Sequence, residues 1–334
     1  MINVIVDAFG GDNAPDAVIE GSIMAVQSLG IKVTLVGDTK KINESAEKHN
    51  LSLTGIDIVQ ADTVIDIHEE PTEIIKDRKD CSMAVGLQLL HDGKGDAFVS
   101  AGSTGALVVG STFIAKRLKG IKRAALAPIM PAKDGYFMLL DGGANSECRP
   151  DALVQFAVMG SAYMEKVMNI KNPRVGLLNI GAEETKGREL EIETYKLLEK
   201  APLNFTGNVE ARDLPFSKCD VVVTDGYTGN IALKLYEGMG LYFGKTLKNM
   251  LTSNIKTKLA ALLLTNQVNA FKKSMDYSEV GGAVLMGISG TVIKAHGSSD
   301  GKAFYNAIRQ AKECVEAGVT DSISAYIESQ KGGE

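Results

Sequence analysis

Five glycine-bearing loops hold the residues whose types and spacing suit chemistry. DAFGGDNAPDAV (7–18) sets Asp7 at the end of an apolar run, frees the backbone at Gly10 and Gly11, adds Asp12, and meets Pro15 at a helix start. SAGSTGAL (100–107) crowds Gly102, Ser103, Thr104 and Gly105 where a strand becomes a helix, without any charge. Hydroxyls and open backbone amides at a helix start favour a phosphate-like anion. A plain Ser or Thr N-cap accounts for one hydroxyl and less well for the set.

Three more loops resemble these in kind. LLDGGANSECRPD (139–151) offers Asp141 and Asn145; LLNIGAEETKGREL (177–190) offers Asn179, Lys186 and Arg188. VVVTDGYTGNIALKLYEG (221–238) offers Asp225, Thr228, Asn230 and Lys234. The amides of Asn145 and Asn230 suit a carbonyl or phosphate oxygen. Each loop alone is ordinary turn chemistry, whereas five together, several with a cation or an amide, argue for one shared cleft. His296, beside Ser298 in KAHGSSD (294–300), is either a structural histidine or a proton donor at that cleft.

The elements that must position these loops are strands alternating with helices. Runs at 2–8, 32–38, 56–62, 96–102, 136–144, 174–182 and 220–226 read as strands, mostly apolar throughout and ending in Gly, Asp or Asn. Continuous apolarity means burial on both faces, which predicts an α/β fold: a three-layer α/β/α sandwich around one mostly parallel mixed sheet. No Pro/Ser-rich linker or charge block divides residues 1–334, so a single catalytic α/β domain is expected, with a helical extension at about 229–275 for dimerisation or membrane contact. There Leu251, Ile255, Leu259, Leu262, Leu263, Val268, Phe271 and Met275 approximate an apolar stripe. It packs on the protein's own core or on a second copy, or its LAALLL tip (Leu259, Leu262, Leu263, Leu264) meets a membrane surface.

Several function classes recede. A net charge of −5 argues against general nucleic-acid binding. GxGxxG, GxSxG and HExxH are absent and the four cysteines form no CxxC pair, so no nucleotide cofactor, serine triad or metal centre is signposted and no cofactor is expected. GLYFGKT (240–246) is one residue short of a phosphate loop and lies in a helical run. No signal peptide or membrane span is readable, so a cytoplasmic location is expected, with peripheral contact at the inner face of the cell membrane as an option. Lys116, Arg117, Lys119, Lys122 and Arg123 form one basic cluster: a solvated helix end, or a dock for an acidic partner.

As an ordered set, DAFGGDNAP, RKDCSMAVGLQLL, SAGSTGAL, LLDGGAN, VQFAVMG, GLLNIGAEETKG, FTGNVEARD, DVVVTDGYTGNIALK and DYSEVGGAVLMGISGTVIKAHGSS resemble the bacterial phosphate acyltransferase family from Asp7 to about Ser299. The resemblance implies an enzyme that converts acyl-[acyl carrier protein] and inorganic phosphate to acyl phosphate for phospholipid synthesis. It also implies a homodimer similar in fold to phosphotransacetylases and to isocitrate and isopropylmalate dehydrogenases, peripheral at the membrane and upstream of a glycerol-phosphate acyltransferase. Ser103 stands where the family usually has Asn, Phe9 where it has Met, and Ala211 where it has Gly.

On that reading, phosphate lies at Gly102, Ser103, Thr104 and Gly105, its charge balanced by Lys186 or Lys234. Asn145, Asn230 or the Gly142 and Gly143 amides stabilise the oxyanion, and His296 protonates the leaving thiol. The acidic carrier docks on the 116–123 cluster. Acetyl-CoA phosphotransacetylase chemistry and a non-catalytic membrane scaffold are the alternatives.

Overall fold

The computed structural model describes residues 1–274 and 280–331. In chain order the first half comprises β1 (Asn3–Asp7), α1 (Asp16–Leu29), β2 (Lys32–Gly37), α2 (Thr39–Lys48), β3 (Ile56–Gln60), α3 (Ser82–His91), β4 (Ala97–Ser100) and α4 (Thr104–Gly110). β5 (Ala125–Ala127), β6 (Ile129–Ala132), β7 (Gly135–Leu140), α5 (Pro150–Lys166), β8 (Arg174–Asn179), α6 (Glu189–Leu198), β9 (Asn204–Glu210) and β10 (Val221–Val223) follow. The chain then runs through α7 (Gly226–Thr252), α8 (Ile255–Leu263) and α9 (Thr265–Ser274). It closes with β11 (Ala283–Met286), β12 (Thr291–Lys294), α10 (Gly301–Glu316) and α11 (Val319–Lys331).

The expected strands form, and the α/β class with mostly parallel pairing and covering helices holds. The strands divide, however, between two sheets, ordered β3-β2-β1-β4-β12-β11-β5 and β6-β7-β10-β8-β9. β11 pairs antiparallel with β12 and with β5, and β6 antiparallel with β7; the other ladders are parallel. The chain passes from the first sheet to the second at Pro128, the lone residue between β5 and β6, whose missing N–H suits a break between ladders, and returns between β10 and β11.

Val4, Ile5 and Val6 of β1 are fully buried, as a strand covered on both faces requires. Each side chain of that kind contributes about 1.5–3 kcal/mol of burial. One buried cluster joins Val4 and Val6 of the first sheet to Leu140 and Val221 of the second. In the helical run, the expected stripe is not packed on the protein's own core. α8 has no buried residue, and Ile255, Leu262 and Leu263 are 77%, 74% and 84% exposed. Met275 lies outside the described residues.

Candidate active site

β1, β4 and β12 lie side by side and parallel, and the sheet order reverses between β1 and β4. Loops leaving such a reversal point diverge and open a crevice beyond the strand ends. Asp7 ends β1 there, fully buried. Its Oδ1 accepts from the Ser82 hydroxyl at 2.6 Å and the Phe9 amide at 3.2 Å, and its Oδ2 accepts from the Ser100 hydroxyl at 2.7 Å. Burial pushes its carboxyl above the usual range, against the pull of Ser82, Ser100, Phe9 and Lys294. Ser100 Oγ in turn accepts from the Gly102 amide at 3.0 Å. Asp7 therefore sets the Gly102 turn, and the Gly102 amide, engaged by Ser100, is not open to an anion. Gly10 must be glycine for this: a Cβ there would stand 2.7 Å from both Asp7 Oδ2 and the Gly102 amide nitrogen.

Ser103 caps α4, its hydroxyl accepting from the Ala106 amide at 3.4 Å. That is the plain N-cap role, and it leaves the first amides of the helix, which have no intrahelical acceptor, and the Thr104 hydroxyl at the turn. The 294–300 loop closes the other side. The Asp12 amide donates to Gly297 O, Asn13 Nδ2 donates to Ser298 O and Ser299 O, and His296 Nδ1 lies 2.9 Å from Ser298 Oγ. A cleft of about 610 Å³ is lined by Asp7, Gly10, Gly11, Asp12, Gly102, Ser103, Thr104, Lys234 and His296. Sequence reasoning had singled out all of these; it missed Lys294 and Ser82 on the same wall. The missed signal for Lys294 was a cation closing the apolar run TVIK directly before a Gly/Ser turn. A smaller recess shares Thr104, Lys234, Lys294 and His296 with the cleft and continues along Leu126, Pro128, Ile129, Met130 and Leu233. Gly105 faces Pro71 instead.

The remaining sequence candidates end strands of the second sheet, and most of them hold turns. Asp141 is fully buried; its Oδ1 accepts from the Leu126, Gly143 and Ala144 amides and its Oδ2 from both the amide and Nδ2 of Asn145, all at 2.8–3.0 Å. Asn145 Nδ2 gives its other hydrogen to Ala124 O at 2.7 Å, and the Gly142 amide donates to Leu126 O. Asn145, Gly142 and Gly143 thus have no donor left for an oxyanion, which corrects the role expected of them. Asp225 caps α7 through the amide and hydroxyl of Thr228 and pairs with Arg188, which also binds Glu191. Those two carboxylates hold the Arg188 pKa above its ordinary value. Asn179 takes the Ile180 amide and donates to Lys186 O, so it pins the 180–187 loop. Asp141, Asp225, Thr228 and Asn179 thus hold turns and line neither the cleft nor the recess.

α7 connects the two groups. Asn230 lies against Gly143, and Lys234, one turn further along the same face, reaches the first cleft. Lys234 is already paired with Glu237 at 2.9 Å. Lys186 is exposed and lines neither the cleft nor the recess. The basic cluster starts at a helix end, with Lys116 closing the π-helical turn Ser111–Lys116 and Arg117 at its C-cap, and continues along the loop that follows. Its five side chains are exposed, with Lys122 paired to Asp151 and Arg117 donating to Lys122 O.

Residues 2–322 fit the model of a family described as a fatty acid synthesis protein. The phosphate acyltransferase of Clostridium novyi (strain NT) is 46% identical over 330 residues, 98% of this chain and 99% of that protein. That of Caldicellulosiruptor bescii is 48% identical over 327 residues, 97% and 98% of the two chains. The chain belongs to the phosphate acyltransferase family. Membership of that family implies phosphate as a substrate. The fold is shared more widely. A phosphotransacetylase from Streptococcus pyogenes superposes with a TM-score of 0.62 at 14% identity, covering 97% of this chain and 94% of that one. The EutD phosphotransacetylase from Staphylococcus aureus gives 0.61 at 16%, covering 95% and 94%. In this phosphate acyltransferase family member the polar cleft and the recess adjoin, sharing Thr104, Lys234, Lys294 and His296.

Proposed function

We propose that the enzyme transfers the acyl group of a long-chain acyl-[acyl carrier protein] to inorganic phosphate, releasing acyl phosphate and the free carrier for phospholipid synthesis. The observation that carries this reading is the apolar recess of Leu126, Pro128, Ile129, Met130 and Leu233 opening off the cleft at Thr104. Phosphate sits at the Ser103–Thr104 turn and the thioester carbonyl at the mouth of the recess. A phosphate oxygen forms the new C–O bond, the tetrahedral oxyanion collapses, and the C–S bond breaks to release the carrier thiolate. Phosphate is a competent nucleophile once held in place, so no covalent enzyme intermediate is needed. Asn230, exposed, packed against Gly143 and one helical turn before Lys234, is the side-chain donor assigned to the oxyanion. A thiol with a pKa near ~8.5 leaves with little assistance, and His296 supplies a proton where one is required.

One catalytic unit spans the chain, with α7–α9 as its extension. The exposed leucines of α8 make peripheral contact with the inner face of the membrane, and the chain works as a homodimer. The acidic carrier docks on the exposed Lys116–Arg123 loop. Charge reversal of Lys119 and Arg123 to Glu should impair use of the carrier-bound substrate far more than of a free thioester analogue; equal impairment would reject the dock.

The deciding assay incubates the enzyme with palmitoyl-carrier and labelled phosphate and looks for acyl phosphate that hydroxylamine destroys. A parallel arm with acetyl-CoA separates this reading from phosphotransacetylase activity. Turnover of acetyl-CoA alone would overturn it.

A further inference from the structure

Lys294 is the last residue of β12 and stands beside Ser100 in the register of β12 against β4. Its Nζ donates to Ala101 O at 3.2 Å and to Ala295 O. Among the described residues it has neither a third acceptor nor an ion-pair partner. The carboxylate nearest in role, Asp7, has its oxygens engaged by Ser82, Ser100 and Phe9. Asp7 and Asp12 act on it only from beyond ion-pair distance, and a largely buried ammonium with an unused N–H and no ion-pair partner is costly unless something else brings one. Lys294 also lines both the polar cleft and the apolar recess, at the place where the two meet.

Resting on the function proposed above, we infer that Lys294 is the buried counter-charge for the attacking phosphate and also fixes the peptide that forms one wall of the phosphate's seat. The peptide unit between Ala101 and Gly102 is gripped at both ends. Its carbonyl accepts from Lys294, and its N–H donates to Ser100, which Asp7 orients. Lys234 is the other cation on both walls, but it is exposed and shares its charge with Glu237. Lys294 therefore brings the positive charge that no ion pair engages, in a place more sheltered from solvent, where it attracts a dianion more strongly than a surface lysine would.

The titration behaviour agrees with this geometry. Burial, helped by Lys234, depresses the Lys294 pKa to about 8, while Asp7 and Asp12 pull it upward. The other titratable groups on the walls that Lys294 shares are His296, Asp66 and Glu237. Phosphate bound against Lys294 favours the charged form, so binding takes up a proton on the alkaline side of that value and weakens as pH rises through it.

The test compares the wild-type enzyme with Lys294→Met, which keeps the length of the side chain and removes its charge. Inorganic phosphate alone, against chloride at equal ionic strength, should raise the wild-type Tm and leave that of Lys294→Met unmoved. In turnover, the variant's phosphate KM should rise on the order of 10- to 100-fold, with its KM for the acyl donor nearly unchanged. Wild-type phosphate affinity should also decline between pH 8 and 9.5, a reading that needs no variant. The inference is overturned if Lys294→Met keeps the phosphate-dependent Tm rise and the wild-type phosphate KM, if wild-type Tm ignores phosphate, or if wild-type affinity is flat across that pH range. A wild-type enzyme that binds phosphate through Lys294 yet forms no acyl phosphate would instead overturn the proposed reaction alone.

Discussion

Asp7, Asp141 and Asp225 close three strands with buried carboxylates, and each organises the glycine turn that follows. The sequence displayed these acids at apolar run ends, which located the turns. It did not reveal that their oxygens are occupied, because hydrogen bonds to Ser82, Leu126 or Arg188 come from distant segments. Asp141→Asn tests the point. Its new NH2 would face donors from Asn145 or from three backbone amides, so stability should fall by about 3 kcal/mol. A urea midpoint equal to wild type would refute the role. Acid sensitivity belongs to other carboxylates. Burial raises the Asp220 pKa, but the side chain and amide of Arg174 outweigh it and hold it below the ordinary value. A depressed native pKa contributes stability above the unfolded value that is lost as pH falls through the native one. Asp220→Asn should therefore flatten the loss of stability below about pH 4. An unchanged slope of Tm against pH would contradict this.

At the scale of elements, strand ends that converge demand close backbone contact, and α7 provides it. Gly229 sits so near β7 that a Cβ would lie 1.9 Å from Asp141 O, and Gly226 abuts the backbone of Asn145. Gly229→Ala must push the helix away from the turn, costing about 3 kcal/mol and drawing Asn230 off Gly143. A variant with wild-type Tm would show that the helix tolerates the shift. Long apolar runs made the seven expected strands legible. β5, β6, β11 and β12 were not: Pro128 and Pro131 interrupt the first two, Pro131 being acceptable only on the edge of the sheet, and the short runs of the last two are divided by the Gly/Ser turn at 287–290. β9 was missed because NFTGNVE is largely polar. Missing β12 concealed Lys294. The division into two sheets was equally hidden, since its first crossing is made at the single residue Pro128.

Across the whole molecule, the largest departure from a closed core is the helical extension. Leu259 is 60% exposed and Leu264 46%, in addition to the more open Ile255, Leu262 and Leu263, while Lys256 and Lys258 also face solvent. No helix among the described residues is long and apolar enough to cross a membrane, so a surface contact is the membrane mode left to these helices. Sequence periodicity identified the stripe but could not tell an internal face from an external one, because both need the same spacing. Replacing Leu262 and Leu263 with Glu distinguishes them. As the side chains touch no core, Tm should move by no more than about 0.5 kcal/mol equivalent. Co-sedimentation with anionic vesicles should fall sharply, and that of the wild-type enzyme should weaken at high salt as the lysine contribution is screened. If the face serves only a second copy, the double variant will instead become monomeric in sedimentation velocity while wild type ignores vesicles. That outcome would remove the membrane assignment and leave the phosphate chemistry, 27 residues of α7 away in sequence, untouched.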